Sequence, residues 1–147
     1  MFLGQYQHNL DDKGRLTVPA RFREGMEAGA YLLQGFDKNL MVLPAAAFEA
    51  MVRQVNQMNL VDPHARELKR LLFSTAEKVE PDKNGRILVP QFLRDLVALK
   101  ADATLVGVGD YFEIWPPEDW KRQFARLQDA EANTERFIGL QLNAEQA

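Results

Sequence analysis

An α+β architecture, two pseudo-symmetric β units each followed by helices, is predicted for this chain of 147 residues by three observations. The first is a charged turn that occurs twice, Asp11-Asp12-Lys13-Gly14-Arg15 and Asp82-Lys83-Asn84-Gly85-Arg86, in the frame D-x-x-G-R. The second is that the likeness extends outward in order. At a constant offset Gly14, Arg15, Leu16, Val18, Pro19 and Arg23 match Gly85, Arg86, Ile87, Val89, Pro90 and Arg94. After a one-residue shift Leu33, Gly35, Leu40, Val42, Pro44 and Phe48 match Leu105, Gly107, Phe112, Ile114, Pro116 and Trp120. The third is the succession of short alternating apolar runs and stretches with helical spacing.

Each element has a physical reason. His8–Leu10 and Arg15–Val18 flank a turn in which Asp can bond the backbone and Gly can take positive φ, so a hairpin is expected. Pro19 and Pro90 end the second strand of each copy and suit the first turn of a short helix, over Ala20–Met26 and Gln91–Leu96. Second hairpins follow. Tyr31–Gln34 and Leu40–Leu43 flank Gly35-Phe36-Asp37-Lys38, and Thr104–Val108 and Phe112–Trp115 flank Gly109-Asp110. Between the copies Phe48, Met51, Val52 and Val55, then Ala65, Leu68, Leu71 and Leu72, lie at helical spacing, with Asp62-Pro63 starting the second helix. In the tail, Pro117 opens a helix carrying Trp120, Phe124 and Leu127 on one face, and Ile138, Leu140 and Leu142 continue an apolar thread. The expected organisation is a first repeat over 5–47, connecting helices over 48–74, a second repeat over 75–118 and a helical segment over 119–147.

Composition bounds the function. A hydrophobic content of 46% supplies a core, and no apolar run approaches the roughly 20 residues of a membrane span. A chain without Cys holds neither disulfides nor thiolate metal sites. The net charge of -3 gives no overall attraction to nucleic acid, so any such site is a local basic patch. No catalytic constellation assembles: His8 and His64 are isolated, and no G-x-S-x-G or phosphate loop occurs. Glu80, Asp82, Asn84 and Gly85 mimic the start of a calcium loop, but Gln91 stands where its bidentate Glu belongs. A non-enzyme without cofactor, metal, membrane or small-molecule substrate is expected.

The opening Met1-Phe2-Leu3-Gly4, the doubled D-x-x-G-R, its trailing V-P and the closing Glu113-Ile114-Trp115 resemble the MraZ family over nearly the whole chain. The resemblance implies two AbrB-like swapped-hairpin repeats forming a small β-barrel-like unit. It also implies a bacterial transcriptional regulator of the division and cell wall gene cluster, a ring-shaped homo-oligomer that binds direct repeats in double-stranded promoter DNA. Carried onto this chain, the family's D-x-x-x-R pattern falls on Asp11 and Arg15 and on Asp82 and Arg86. Arg15 and Arg86 would then meet DNA, since a guanidinium fork grips phosphate or the O6/N7 edge of guanine, with Lys13 and Lys83 on phosphates. Asp11, Gly14, Asp82 and Gly85 are read as turn-supporting. Arg21 and Arg23 are expected only as an extension of the patch; Arg66, Lys69 and Arg70 read as the solvated side of a helix. In the second copy Asn84 replaces Lys13, Lys83 takes the place of Asp12 and Pro81 replaces Leu10, so the copies are near equals and not identical; if the first carries more of the binding, replacing Arg15 weakens it more than replacing Arg86.

Four basic groups per chain on phosphates give a salt slope of only about -3.6, too weak for one chain, so avidity from a ring on tandem boxes is expected. Repression by blocking polymerase, in a cytoplasmic and nucleoid-associated protein, is the expected outcome. The competing reading is an antitoxin-like or structural oligomeric interaction module, using the amphipathic tail for a protein partner.

Overall fold

Fourteen regular elements occupy residues 1–142, which the structure, a computed structural model, describes. Residues 143–147 of the expected C-terminal segment lie outside them. The chain forms two compact units, Met1–Pro117 and Glu118–Ala147.

In the first unit the strands are β1 (Gln5–Asn9), β2 (Arg15–Thr17), β3 (Ala30–Gln34), β4 (Leu40–Pro44), β5 (Glu77–Val79), β6 (Arg86–Leu88), β7 (Asp102–Gly107) and β8 (Phe112–Trp115). The helices are α1 (Ala20–Glu24), α2 (Ala45–Asn56), α3 (Pro63–Phe73) and α4 (Gln91–Val97). Proline enters where its missing N–H costs nothing: Pro19, Pro44 and Pro90 sit at the N-caps of α1, α2 and α4. Asp62 caps α3 by accepting the amide of His64 at 2.9 Å.

The strands exchange partners between the repeats. Both second hairpins form as read, β3 with β4 and β7 with β8. The first hairpins do not. β1 lies antiparallel to β7, β5 lies against β3, and β2 pairs with β6, leaving Leu10↔Leu16 as an isolated bridge beside the first turn. The expected local pairing is therefore corrected: the turn closes, and its strands then diverge to the other repeat. The β unit consists of a six-stranded sheet, β1-β7-β8-β4-β3-β5, and the two-stranded ribbon β2-β6, with no closed barrel among the described strands.

Register reveals the pseudo-twofold axis. In the ribbon Leu16 faces its equivalent Ile87, and across β4 and β8 the pairs Leu40↔Ile114 and Val42↔Phe112 straddle Met41↔Glu113. The main core lies between the ribbon with α1 and α4 and one face of the large sheet, and contains Leu16, Ile87, Phe22, Leu93, Leu32, Val42 and Leu105. Phe2, Phe22 and Phe112 pack there with ring centroids 4.8 to 5.4 Å apart. A second cluster, Leu33, Met41, Leu43, Val55 and Leu72, packs the opposite face of β3 and β4 against α2 and α3. Covering both faces explains why Leu40 to Leu43 is an unbroken apolar run.

The second unit holds α6 (Ala130–Phe137) and most of α5 (Pro117–Arg126). Trp120 and Phe124 share a face of α5, with centroids 5.7 Å apart. Asp129 caps α6 by accepting the amide of Ala132 at 3.2 Å, and Asn133 Nδ2 donates to Leu127 O at 2.8 Å.

Candidate nucleic-acid interface

Each D-x-x-G-R segment folds as the same bonded turn. Asp11 Oδ1 accepts the amides of Lys13 at 3.0 Å and Arg15 at 2.8 Å, and Asp82 Oδ1 accepts those of Asn84 and Arg86, each at 2.9 Å. Oδ2 of each Asp takes the Nε–H of its own Arg, at 2.6 Å for Arg15 and 3.2 Å for Arg86. The Arg15 amide, opposed by partial desolvation and aided by the Arg15 guanidinium, holds the Asp11 carboxyl below the usual carboxylate range. The Arg86 amide leads the same effect at Asp82. Both Asp side chains are thus charged and committed to the turn. Gly14 and Gly85 complete it at φ of 85° and 78°.

The ribbon gathers the two arginines. Leu16 and Ile87 are fully buried and point inward, so by the pleat Arg15, Thr17, Arg86 and Leu88 stand on the outer face. The cross-strand pairs are Arg15↔Leu88 and Thr17↔Arg86. Arg86 Nη1 also comes within 3.6 Å of Asp11 Oδ2, so one carboxylate of the first repeat faces both guanidinium groups. Bonding through Nε leaves both terminal amino groups of Arg15 as an outward fork, whereas Arg86 keeps Nη2 outward and turns Nη1 toward Asp11. The Arg15 side chain is 37% exposed and that of Arg86 26%. Lys13 and Lys83 are exposed at the turn tips, each next to an acid, Asp12 or Asp82.

Arg23, expected to extend the patch, and its equivalent Arg94 each bond a backbone carbonyl. Arg23 Nη1 donates to Val18 O at 2.5 Å, and its guanidinium lies so close to Gly85 that a methyl group there would meet it at 2.5 Å. Arg94 Nε donates to Val89 O at 3.0 Å and lies against Gly14 in the same way. Each short helix therefore clamps the turn of the other repeat. The sequence marks Arg23 and Arg94 only as equivalents, matched at the same offset as the glycines, and does not say which turn each one meets. Arg21 is exposed on α1. His8 and His64 join no site: among the described residues no group of three His, Cys, Asp or Glu could hold a metal, and Asp82 of the calcium-loop mimic serves its own turn. No helix among the described residues is long and apolar enough to cross a membrane.

Comparison with known proteins agrees with this doubling. The family model described as "MraZ protein, putative antitoxin-like" matches twice, over residues 1–71 and 72–140. The chain is 43% identical to the transcriptional regulator MraZ of Roseiflexus sp. (strain RS-1) over 133 residues, 90% of this chain and 92% of that protein. It is 44% identical to that of Thermomicrobium roseum over 131 residues, 89% and 92% of the two chains. With that of Desulforamulus reducens it shares 40% identity over 137 residues, 93% and 94%. Among solved structures, the solution structure of PHS018 from Pyrococcus horikoshii matches at a TM-score of 0.33 and 13% identity, over 78% of this chain and 88% of that one.

Proposed function

The chain belongs to the MraZ family, and on that premise we propose that it is a DNA-binding transcriptional regulator whose ribbon β2-β6 meets promoter DNA. The relatives it matches are named transcriptional regulators, which is not an enzyme class. One observation carries the step from regulator to DNA: two arginines distant in sequence, Arg15 and Arg86, stand on the outer face of one ribbon beside a shared carboxylate. Asp11 and Asp82 hold the guanidinium planes in place, so binding costs less rotamer entropy, and Lys13 and Lys83 reach phosphates at the rim. The repeats over 5–47 and 75–118 act as a pair because the ribbon strands form their ladder with each other, apart from the single Leu10↔Leu16 bridge within the first repeat.

The fuller reading is a ring-shaped homo-oligomer that occupies tandem boxes before the division and cell wall gene cluster and represses by excluding polymerase, in the cytoplasm on the nucleoid. The modest basic surface of one chain supports it, because a slope of about -3.6 leaves affinity to be raised by repetition around the ring. Fluorescence titration of a duplex spanning the region upstream of its own gene, at two salt concentrations, tests the function. Binding that is salt-sensitive and weakened in Arg15→Ala is expected; salt-insensitive binding, or none, would sink the proposal.

A further inference from the structure

The pseudo-twofold axis of the ribbon is broken at one pair of positions on its outer face. Arg15 and Arg86 are equivalents, but Thr17 in the first repeat corresponds to Leu88 in the second. Leu88 is 54% exposed, a large aliphatic side chain set directly across from Arg15, whereas Thr17 stands across from Arg86. Nothing in the fold requires an apolar residue there, since the core-facing neighbours Ile87 and Val89 are already fully buried.

We infer that Leu88 is a specificity-determining residue that packs on the 5-methyl group of a thymine beside the base met by Arg15. The inference rests on the proposed binding of DNA by the ribbon. A two-stranded ribbon fits the major groove, about 12 Å wide, and the thymine methyl is the one apolar group on the base edges there. Three residues per strand span roughly 10 Å, so the diagonal arginines lie roughly 8 Å apart at Cα and reach bases about two steps from each other. At one end the ribbon offers Arg15 with an apolar neighbour, at the other Arg86 with a hydroxyl. The box read by one chain is therefore asymmetric, which fixes the direction in which the protein sits on DNA.

The experiment compares the upstream duplex synthesised with thymine or with uracil, which lacks only the methyl group, for the native chain, Leu88→Ala and Leu88→Thr. The native chain should bind the uracil duplex at least about fourfold more weakly for each buried methyl group removed, while both variants should bind the two duplexes nearly alike. Equal binding of both duplexes by the native chain, with Arg15 still required, overturns the role of Leu88 and leaves the DNA reading standing. Failure of the native chain to bind the thymine duplex at low salt overturns both. Leu88 also neighbours exposed Phe92 and Leu96 in sequence, so scattering mass is recorded on the same samples. A change of mass in Leu88→Ala with an unchanged thymine preference assigns the residue to a subunit interface and overturns the inference.

Discussion

Gly14 and Gly85 show how much one missing side chain can decide. A methyl group at Gly14 would stand 2.7 Å from Val89 O and 2.8 Å from the Arg94 guanidinium, on a backbone at φ 85°. Gly14→Ala is expected to lower stability by about 1–2 kcal/mol from the left-handed backbone alone, with the overlap adding to it. Urea denaturation measures this, and an unchanged midpoint would refute the turn geometry. Glu113 is a second residue with a legible consequence. Burial pushes its carboxyl above the ordinary value, opposed by the hydrogen bond from Trp115 Nε1 at 3.0 Å. The native state then keeps this proton to higher pH than the unfolded chain, so Glu113 stabilises fully below the ordinary glutamate range and loses that contribution as pH rises through its native pKa. Glu113→Gln should therefore gain stability relative to the native chain as pH rises above the ordinary glutamate range, read as the difference in urea midpoints. Asp11 and Asp82 act in the opposite direction and lower, since their depressed values cost stability only on acidification below the ordinary range. At this scale the Asp and Gly of each turn were readable from residue chemistry. The clamp by Arg23 and Arg94 was not, because its partner is a glycine of the other repeat.

The strands and helices were placed in order by local signals: proline at helix starts, alternation in β3, β4, β7 and β8, and Asp62-Pro63 at the head of α3. Pairing was not local. Alternation says that a strand has one wet and one dry face, and it is silent on which edge meets which. Here β1 needs β7, β2 needs β6, β4 needs β8 and β5 needs β3. An isolated fragment of residues 1–71, one of the two stretches matched by the family model, therefore keeps four unpaired strand edges. It should either stay unfolded or form a dimer that restores the missing pairs with a second copy, β2 against β2. Circular dichroism with sedimentation mass distinguishes these outcomes, and a stably folded monomer would rule out the exchange.

The whole molecule has a net charge of -3, so attraction to DNA has to come from a surface smaller than the chain. Arg15→Ala and Arg86→Ala should each weaken binding of the upstream duplex. The Arg15 variant should lose more, because Arg86 is the less exposed and lies between two carboxylates. Titrations of both variants at two salt concentrations check this, with equal losses counting against it. Residue order alone was enough for the doubled turn, the elements and the family, because turn chemistry and periodicity act over a few residues. Strand exchange, the clamps and the gathering of Arg15, Arg86 and Leu88 on one ribbon required the folded chain. These features join positions dozens of residues apart, and only the closure of both faces of the sheet makes one edge pairing cheaper than its rivals.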